Sequence, residues 1–111
     1  MPHLRFRGLS RETVKQISKP LVDILSPMIG SPLDHFTLEF IPAEFVAKGQ
    51  VISGYPIVEV LWFERPLEIQ DKVAAEITTT LRARVGAEQD ICVIFTRLEG
   101  RQYYENGSHF G

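Results

Sequence analysis

The 111-residue sequence has one cysteine, few histidines and no long apolar segment, and each scarcity excludes a class of protein. Because Cys92 stands alone, no internal disulfide can form, which predicts a cytoplasmic protein. The three histidines lack metal-ligand spacing, so neither a metal nor another cofactor is expected. No apolar run reaches the roughly 20 residues that cross a bilayer. A net charge of −2 provides no basic face for nucleic acid, so we expect neither a membrane nor a nucleic-acid partner.

What remains is the composition of a globular protein, and its length predicts one domain, residues 1–111, with a hydrophobic core. Pro2 to Arg7 alternates apolar and charged residues with the period of a half-buried strand. A helix is predicted next, with Ser10 as N-cap, an interruption and kink at Pro20, and an end at Gly30. A second strand follows around Phe36 to Phe40.

The same order then repeats after a loop in which short apolar segments around Phe45 and Val51 are possible pairing strands. Residues 56–63 form a near-continuous apolar strand, residues 66–85 a helical stripe, and residues 91–95 the last long strand. Asn106-Gly107 marks a tight turn in the tail. The two units, about 1–55 and about 56–111, repeat at roughly 55 residues, which indicates a duplicated supersecondary structure.

Two β-α-β units predict an α+β fold in which a four-stranded sheet carries two helices on one face. The strand at 56–63 is apolar on both sides, so the other face is also expected to be covered. A second copy of the chain is the simplest cover, and we therefore expect self-association.

Pro2 has two possible roles. Without Met1 it presents a secondary amine at the chain terminus, which can act as a general base because burial disfavours the charged amine. It is also compatible with an ordinary strand opening, where its missing N–H does no harm, and taken alone Pro2 favours this second role.

The duplicated strand–helix–strand pattern opening with Met1-Pro2 resembles the tautomerase superfamily, which includes macrophage migration inhibitory factor and the oxalocrotonate and hydroxymuconate isomerases. Specific matches are Pro2, the turn at residues 30–32 and the strand exit at residues 40–42. The tail, residues 103–110, resembles a functionally undefined bacterial branch of that fold. The resemblance implies a homotrimer in which Pro2 moves a proton next to a carbonyl while cations hold the substrate carboxylate.

Other residues expected from the resemblance are missing. The cytokine branch has Lys where this chain has Ser31, and it has Tyr and Asn where Cys92 and Ile94 fall. The carboxylate-binding Arg of the oxalocrotonate branch would fall at Thr37 or Cys92. The known substrates of the family therefore do not transfer to this chain.

A substrate carboxylate requires a cation, ideally a bidentate Arg. Arg65, at the junction between the third strand and the second helix, is the preferred candidate, and Arg5 on the first strand is another. Both are also compatible with solvated surface charges. Trp62 could line the pocket or belong to the core or a subunit interface, and Tyr103 could supply a hydroxyl or simply pack.

Two functions are therefore compatible with the sequence. The first is a trimeric tautomerase-like protein in which Pro2 is the general base acting on a small keto or enol carboxylate. The alternative is a non-catalytic oligomeric or ligand-binding domain, either a degenerate tautomerase fold or a ferredoxin-like module with the same element order.

Overall fold

The computed structural model describes residues 2–111, so Met1, whose removal the base role of Pro2 requires, lies outside the described residues. Within residues 2–111 ten helices and strands follow one another, with two short 3-10 turns at 33–35 and 100–102. In chain order they are β1 (His3–Arg7), α1 (Arg11–Ile29), β2 (Thr37–Phe40), β3 (Phe45–Ala47), β4 (Gln50–Ile52), β5 (Ile57–Phe63), α2 (Leu67–Val85), β6 (Cys92–Leu98), β7 (Tyr104–Glu105) and β8 (Ser108–His109).

Four strands form the main sheet in the order β2-β1-β5-β6. Within each unit the two strands are parallel, as a helical crossover requires. The two units meet through antiparallel pairing of β1 with β5, in which His3 faces Leu61 and Arg7 faces Ile57. The predicted α+β fold with a duplicated β-α-β unit is therefore confirmed.

Helix α1 begins and ends as the sequence predicts. Ser10 caps its first turn by accepting a hydrogen bond from the Thr13 backbone N–H at 3.1 Å. Gly30 ends it with φ 80°, and its N–H donates to the Ser26 carbonyl. The predicted interruption at Pro20 is wrong, because α1 is one helix from Arg11 to Ile29. Its apolar stripe is buried on both sides of the proline, and this packing offsets the missing hydrogen bond.

Both helices pack on the same face of the sheet and form the core with it. Every second residue of β1 and β5 points towards them, which explains the strict alternation of buried and part-buried positions in these strands. The buried apolar residues of this core are Leu4, Phe6, Val14, Ile17, Leu21, Leu25, Ile29, Val58, Val60, Trp62, Val73, Ile77 and Leu81.

The opposite face of the sheet, called here the open face, is divided between charge and apolar surface. On its β2–β1 side, Arg5 and Arg7 lie between two glutamates, Glu39 and Glu59. On its β5–β6 side the side chains other than Glu59 and Thr96 are apolar, and Ile94 is 46% exposed. The predicted cover by a second copy therefore remains a prediction, and its apolar contact would fall on the β6 side.

Two hairpins project from this framework, each with a two-residue turn at positive φ. Lys48-Gly49 joins β3 to β4 and Asn106-Gly107 joins β7 to β8, with φ between 52° and 86° at these four residues. Both the short pairing segments and the Asn-Gly turn predicted from the sequence are confirmed. The β3–β4 hairpin carries Val46 and Val51 at 66% and 65% exposure. Within residues 2–111 no helix is long and apolar enough to span a membrane.

Replacement of Leu81 by Ala tests the core, because this α2 side chain is fully buried. Leu81→Ala should lower the free energy of unfolding by about 2–5 kcal/mol, the usual cost of such a cavity. Leu67→Ala in the same helix, at a position 73% exposed, should change it by about 0.5 kcal/mol or less. Urea denaturation measures both, and equal effects of the two substitutions would contradict the packing described.

Candidate functional site

Pro2 lies directly before β1 in the middle of the sheet. Its side chain is buried, and its carbonyl accepts a hydrogen bond from the Thr37 backbone N–H at 3.1 Å. Extending the strand register by one residue places Pro2 between Trp62 of β5 and Phe36 beside β2. The residue singled out from the sequence is therefore fixed by neighbours on both sides.

Trp62 forms a wall of a cavity of about 600 Å³, called here the larger cavity because a second one has a volume of about 250 Å³. Its ring is 2% exposed and packs on Phe95, with 5.0 Å between the ring centroids. The cavity opens where β5 and β6 end and α2 begins, and it is lined by Trp62, Glu64, Arg65, Pro66, Leu67, Gln70 and Arg97. Trp62 thus serves both the core and the cavity, two roles that the sequence left as alternatives.

Arg65 also lines this cavity, and neutral acceptors hold its guanidinium. Nε donates to the Ile29 carbonyl at 3.0 Å, and one terminal nitrogen donates to the Phe63 and Glu64 carbonyls at 3.1 Å each. The other terminal nitrogen donates to the Ser31 hydroxyl at 3.3 Å. Among residues 2–111 no carboxylate forms an ion pair with Arg65. Its charge is therefore positioned by the end of α1 but not neutralised by a carboxylate of the described chain.

Arg97 is a second cation at this cavity, and the sequence analysis missed it. It pairs with Glu64 at 2.7 Å and with Glu99 at 3.1 Å. The hydrogen bond to Glu64, together with the charge of Glu99, raises the pKa of the guanidinium. The alternation of Val93, Phe95 and Arg97 in β6 could have indicated that this arginine shares a face with Trp62.

The structure does not bring Arg5 to the larger cavity. Arg5 points to the open face, where its guanidinium lies 3.3 Å from Glu39 and 3.9 Å from Glu59. The opposite directions of Arg5 and Trp62 follow from strand alternation, which separates neighbouring side chains onto two faces of a sheet.

Tyr103 lies near the end of β5, in an aromatic cluster with Phe63 and Phe110. Its ring meets Phe63 edge-on at 5.3 Å and Phe110 at 5.0 Å, and Phe110 stacks on Phe63 at 5.9 Å. Desolvation, followed by the nearby Glu105 carboxylate, raises the pKa of the Tyr103 phenol. Tyr103 also lines a smaller cavity of about 250 Å³, and its hydroxyl donates to the Glu105 carboxylate at 3.3 Å.

That smaller cavity lies on the open face and is lined by His3, Thr37, Leu61, Leu98 and Tyr103. The His3 imidazole lies between two side chains of β2, with Nδ1 at 2.5 Å from Thr37 Oγ1 and Nε2 at 2.8 Å from Glu39. The hydrogen bond from His3 is the largest cause that lowers the pKa of Glu39, and the charge of Arg5 adds to it. No group of three or more side chains suited to hold a metal ion occurs within residues 2–111.

Comparisons with known proteins agree on the family and the fold. The family model described as "Domain of unknown function (DUF1904)" matches residues 1–109. A DUF1904 crystal structure from Sebaldella termitidis ATCC 33386 is 35% identical, with a TM-score of 0.91 over 99% of this chain and 100% of that one. None of the curated proteins compared with the chain matches it.

Two more distant structures show the same fold. A macrophage migration inhibitory factor-like protein from Entamoeba histolytica is 19% identical, with a TM-score of 0.76 over 98% of each chain. A wild-type fused 4-OT, described as an asymmetric trimer, is 14% identical, with a TM-score of 0.81 over 96% of this chain and 94% of that one. The predicted resemblance to the tautomerase superfamily is therefore confirmed at the level of fold.

The His3–Glu39 hydrogen bond generates a titration prediction. His3→Asn should raise the pKa of the Glu39 carboxyl towards its ordinary range, because the main cause of the depression is removed. NMR titration of the Glu39 carboxyl carbon measures the change, with His35→Asn as the control at another exposed histidine.

The lowered pKa of Glu39 also makes the stability of the fold depend on pH. A carboxyl whose folded pKa is depressed contributes stability above its unfolded pKa, and the contribution is lost as the pH falls through the folded pKa. As the pH falls into the acid range, the free energy of unfolding should therefore decrease less steeply in His3→Asn than in the native chain. An unchanged Glu39 titration in this variant would contradict the hydrogen bond.

Proposed function

The chain belongs to the DUF1904 family, and because it has the tautomerase fold we propose that it is a tautomerase-like protein with Pro2 as its general base. The proposed reaction moves a proton at the carbon next to a carbonyl in a small keto or enol carboxylate. The observation that carries the proposal is the position of Pro2, which is buried, anchored at the start of β1 and adjacent in register to a wall of the larger cavity.

Burial of Pro2 supports the role of base. A terminal amine titrates at about 7.7–8.0 in water, and removal from water favours the neutral form. After loss of Met1 the ring nitrogen would carry a free lone pair at neutral pH. The ring and the Thr37 hydrogen bond restrict the motion of this nitrogen, so less entropy is lost when a substrate meets it.

Arg65 is the proposed carboxylate ligand. The cytokine branch of the superfamily has Lys where this chain has Ser31, and here the Arg65 guanidinium donates to the Ser31 hydroxyl. A cation from the β5–α2 junction thus reaches the region that the missing Lys would serve. Because Arg65 has no carboxylate partner among residues 2–111, a substrate carboxylate would meet a charge not already paired.

In the proposed reaction the Pro2 nitrogen takes a proton from the carbon next to the substrate carbonyl. The electrons of that C–H bond form the enolate, and the protonated ring returns the proton to oxygen or to a second carbon. Arg65 holds the carboxylate throughout, and the Trp62 side of the cavity restricts water. We propose the whole of residues 1–111 as one catalytic domain of the cytoplasm, consistent with its single unpaired Cys92.

A homotrimer is part of the proposal. The β3–β4 hairpin exposes Val46 and Val51, which are paired directly across its strands, and the edge strand β6 exposes Ile94. Contact between such apolar surfaces of neighbouring copies would bury them and cover unpaired strand edges.

A non-catalytic oligomeric or ligand-binding domain is the second candidate. It is favoured by Cys92 and Ile94, which stand where the cytokine branch has Tyr and Asn and which offer a substrate no comparable hydrogen bond. The two candidates differ in the reactivity of Pro2.

We expect intact-mass analysis of untagged protein to show loss of Met1 and, after incubation with a small acetylenic keto carboxylate at neutral pH, one adduct on Pro2. The alkyne next to a carbonyl reacts with a neutral amine, and its carboxylate needs Arg65. Arg65→Met should slow modification about 10-fold to 100-fold, since a hydrogen bond to a charged group contributes about 1.5–3 kcal/mol.

Two controls make this result specific. Arg84→Met removes an arginine whose hydrogen bond goes to Gln16 on the exposed helix surface, and it should react like the native chain. The methyl ester of the same reagent should not distinguish Arg65→Met from the native chain. Retained Met1, or a free Pro2 that does not react, would favour the non-catalytic candidate.

Sedimentation equilibrium should give the mass of three chains. Val46→Asp combined with Val51→Asp should dissociate the trimer, because two charges would enter the proposed contact. Ile24→Asp, at a position 42% exposed on α1, is the matched control and should remain trimeric. A stable native monomer would rule out the proposed assembly.

A further inference from the structure

Three side chains of the open face form a continuous hydrogen-bonded row that the proposed reaction does not use. The Thr37 hydroxyl lies 2.5 Å from His3 Nδ1, and Glu39 lies 2.8 Å from His3 Nε2. The parallel register of β1 and β2 creates the row, because His3 lies opposite Thr37, and Glu39 is the next β2 residue on the same face. Arg5, opposite Glu39, contacts the same carboxylate oxygen with its Nε at 3.3 Å.

The order of these groups is that of a nucleophile, a base and an orienting carboxylate. Glu39 accepts a hydrogen bond from Nε2–H, and in that tautomer the lone pair of Nδ1 faces the Thr37 hydroxyl. A hydroxyl that donates to such a nitrogen can lose its proton as it attacks a carbonyl carbon. The same roles define hydroxyl–imidazole–carboxylate sites on unrelated folds, where geometry identifies the site and chain order does not.

A cavity lies at the reactive end of the row. Thr37 and His3 line the 250 Å³ cavity, whose other lining side chains are Leu61, Leu98 and Tyr103. The lining is mostly apolar, and Tyr103 adds a second hydroxyl. This hydroxyl donates to the Glu105 carboxylate at 3.3 Å, and desolvation, followed by that carboxylate, raises the pKa of the Tyr103 phenol. The cavity shares no lining residue with the larger one beside Arg65.

We propose that Thr37 is an acyl-accepting nucleophile, that His3 is its general base, and that this cavity takes a small uncharged ester with a short acyl chain. The volume of the cavity is below the roughly 300–1,000 Å³ of sites for larger ligands. Its apolar lining favours a neutral substrate, since the carboxylate in the row is already paired with Arg5 and His3.

The proposed reaction consumes only the ester and water. Thr37 Oγ1 forms a bond to the ester carbonyl carbon while its proton passes to His3 Nδ1, and Glu39 stabilises the imidazolium. The Tyr103 hydroxyl, which donates to Glu105 at 3.3 Å in the free protein, turns to donate to the oxyanion. The carbon–oxygen bond to the leaving alcohol then breaks, and this alcohol takes the proton from His3. Water repeats the sequence on the acyl-threonine, so one ester and one water give one carboxylic acid and one alcohol.

The test uses the full chain with 4-nitrophenyl acetate. We expect release of nitrophenolate and, after an acid quench, one acetyl group that peptide mass spectrometry locates on Thr37 and that hydroxylamine removes. Thr37→Val, which keeps the shape and removes the hydroxyl, and His3→Gln should each lower the rate about 100-fold or more. Thr37→Ser should keep both the rate and the acetyl group at position 37.

Glu39→Gln probes the orienting role. It should lower the turnover rate while leaving the acetyl group on Thr37, because the amide still positions His3 but stabilises the imidazolium less. Thr96→Val is the matched control. Thr96 is an exposed threonine of β6 on the same open face, where it lies opposite Leu61 of β5, and no histidine within residues 2–111 bonds to it. Its rate should equal that of the native chain.

Three results would overturn the proposal. They are a native rate in Thr37→Val, an acetyl group located at Pro2 as a hydroxylamine-resistant amide with none at position 37, and no turnover above buffer. If Thr37→Val does not fold by circular dichroism, Thr37→Ser decides, because absence of an acetyl group at position 37 overturns the proposal. The first and third results concern the open face alone and leave the reactivity of Pro2 with the keto carboxylate unchanged, whereas acetylation of Pro2 would show that its amine is free and reactive.

Discussion

The double pairing of β1 is the constraint on which the rest of the structure depends. This strand begins within three residues of the chain terminus, yet it lies in the interior of the sheet, parallel to β2 and antiparallel to β5. Its alternate residues therefore separate two environments. Leu4 and Phe6 belong to the helix-covered core, whereas His3 and Arg5 belong to the charged open face. A shift of one residue would exchange these sets, so burial fixes the register and with it the position of Pro2.

Arg65 connects the two repeats at the place where the candidate site lies. Its side chain starts in repeat two, after β5, and donates to the end of α1 and to Ser31 in repeat one. A guanidinium has enough fixed donors to serve several carbonyls and still face a cavity, which a lysine ammonium cannot do with the same geometry. The duplicated units are thus joined by the antiparallel pairing of β1 with β5 and by the Arg65 cation, whose charge is not neutralised by a carboxylate of residues 2–111.

The hydrophobic periodicity of the sequence was enough to predict the fold, but it could not predict contacts between distant residues. The two helical stripes, the alternating strands and the Asn106-Gly107 turn are local signals, and the structure bears them out. The prediction that Pro20 interrupts α1 was wrong, because packing of the helix on both sides of the proline overrides its local effect. Pro2, Arg65 and Trp62 could be selected from their places at element ends. The partners of Arg97 and His3 could not, because they depend on which strands are neighbours and in which register.

The central place of β1 also determines the order in which the protein can assemble during its synthesis. During synthesis β1 can pair with β2 once repeat one is complete, but its other edge stays unpaired until residues 57–63 have emerged. An exposed strand edge that waits for a later segment invites pairing with other chains. The charged side chains of Arg5 and Arg7 on this strand would discourage such pairing, so the arginines that later form the ion pairs of the open face also protect the nascent chain from aggregation.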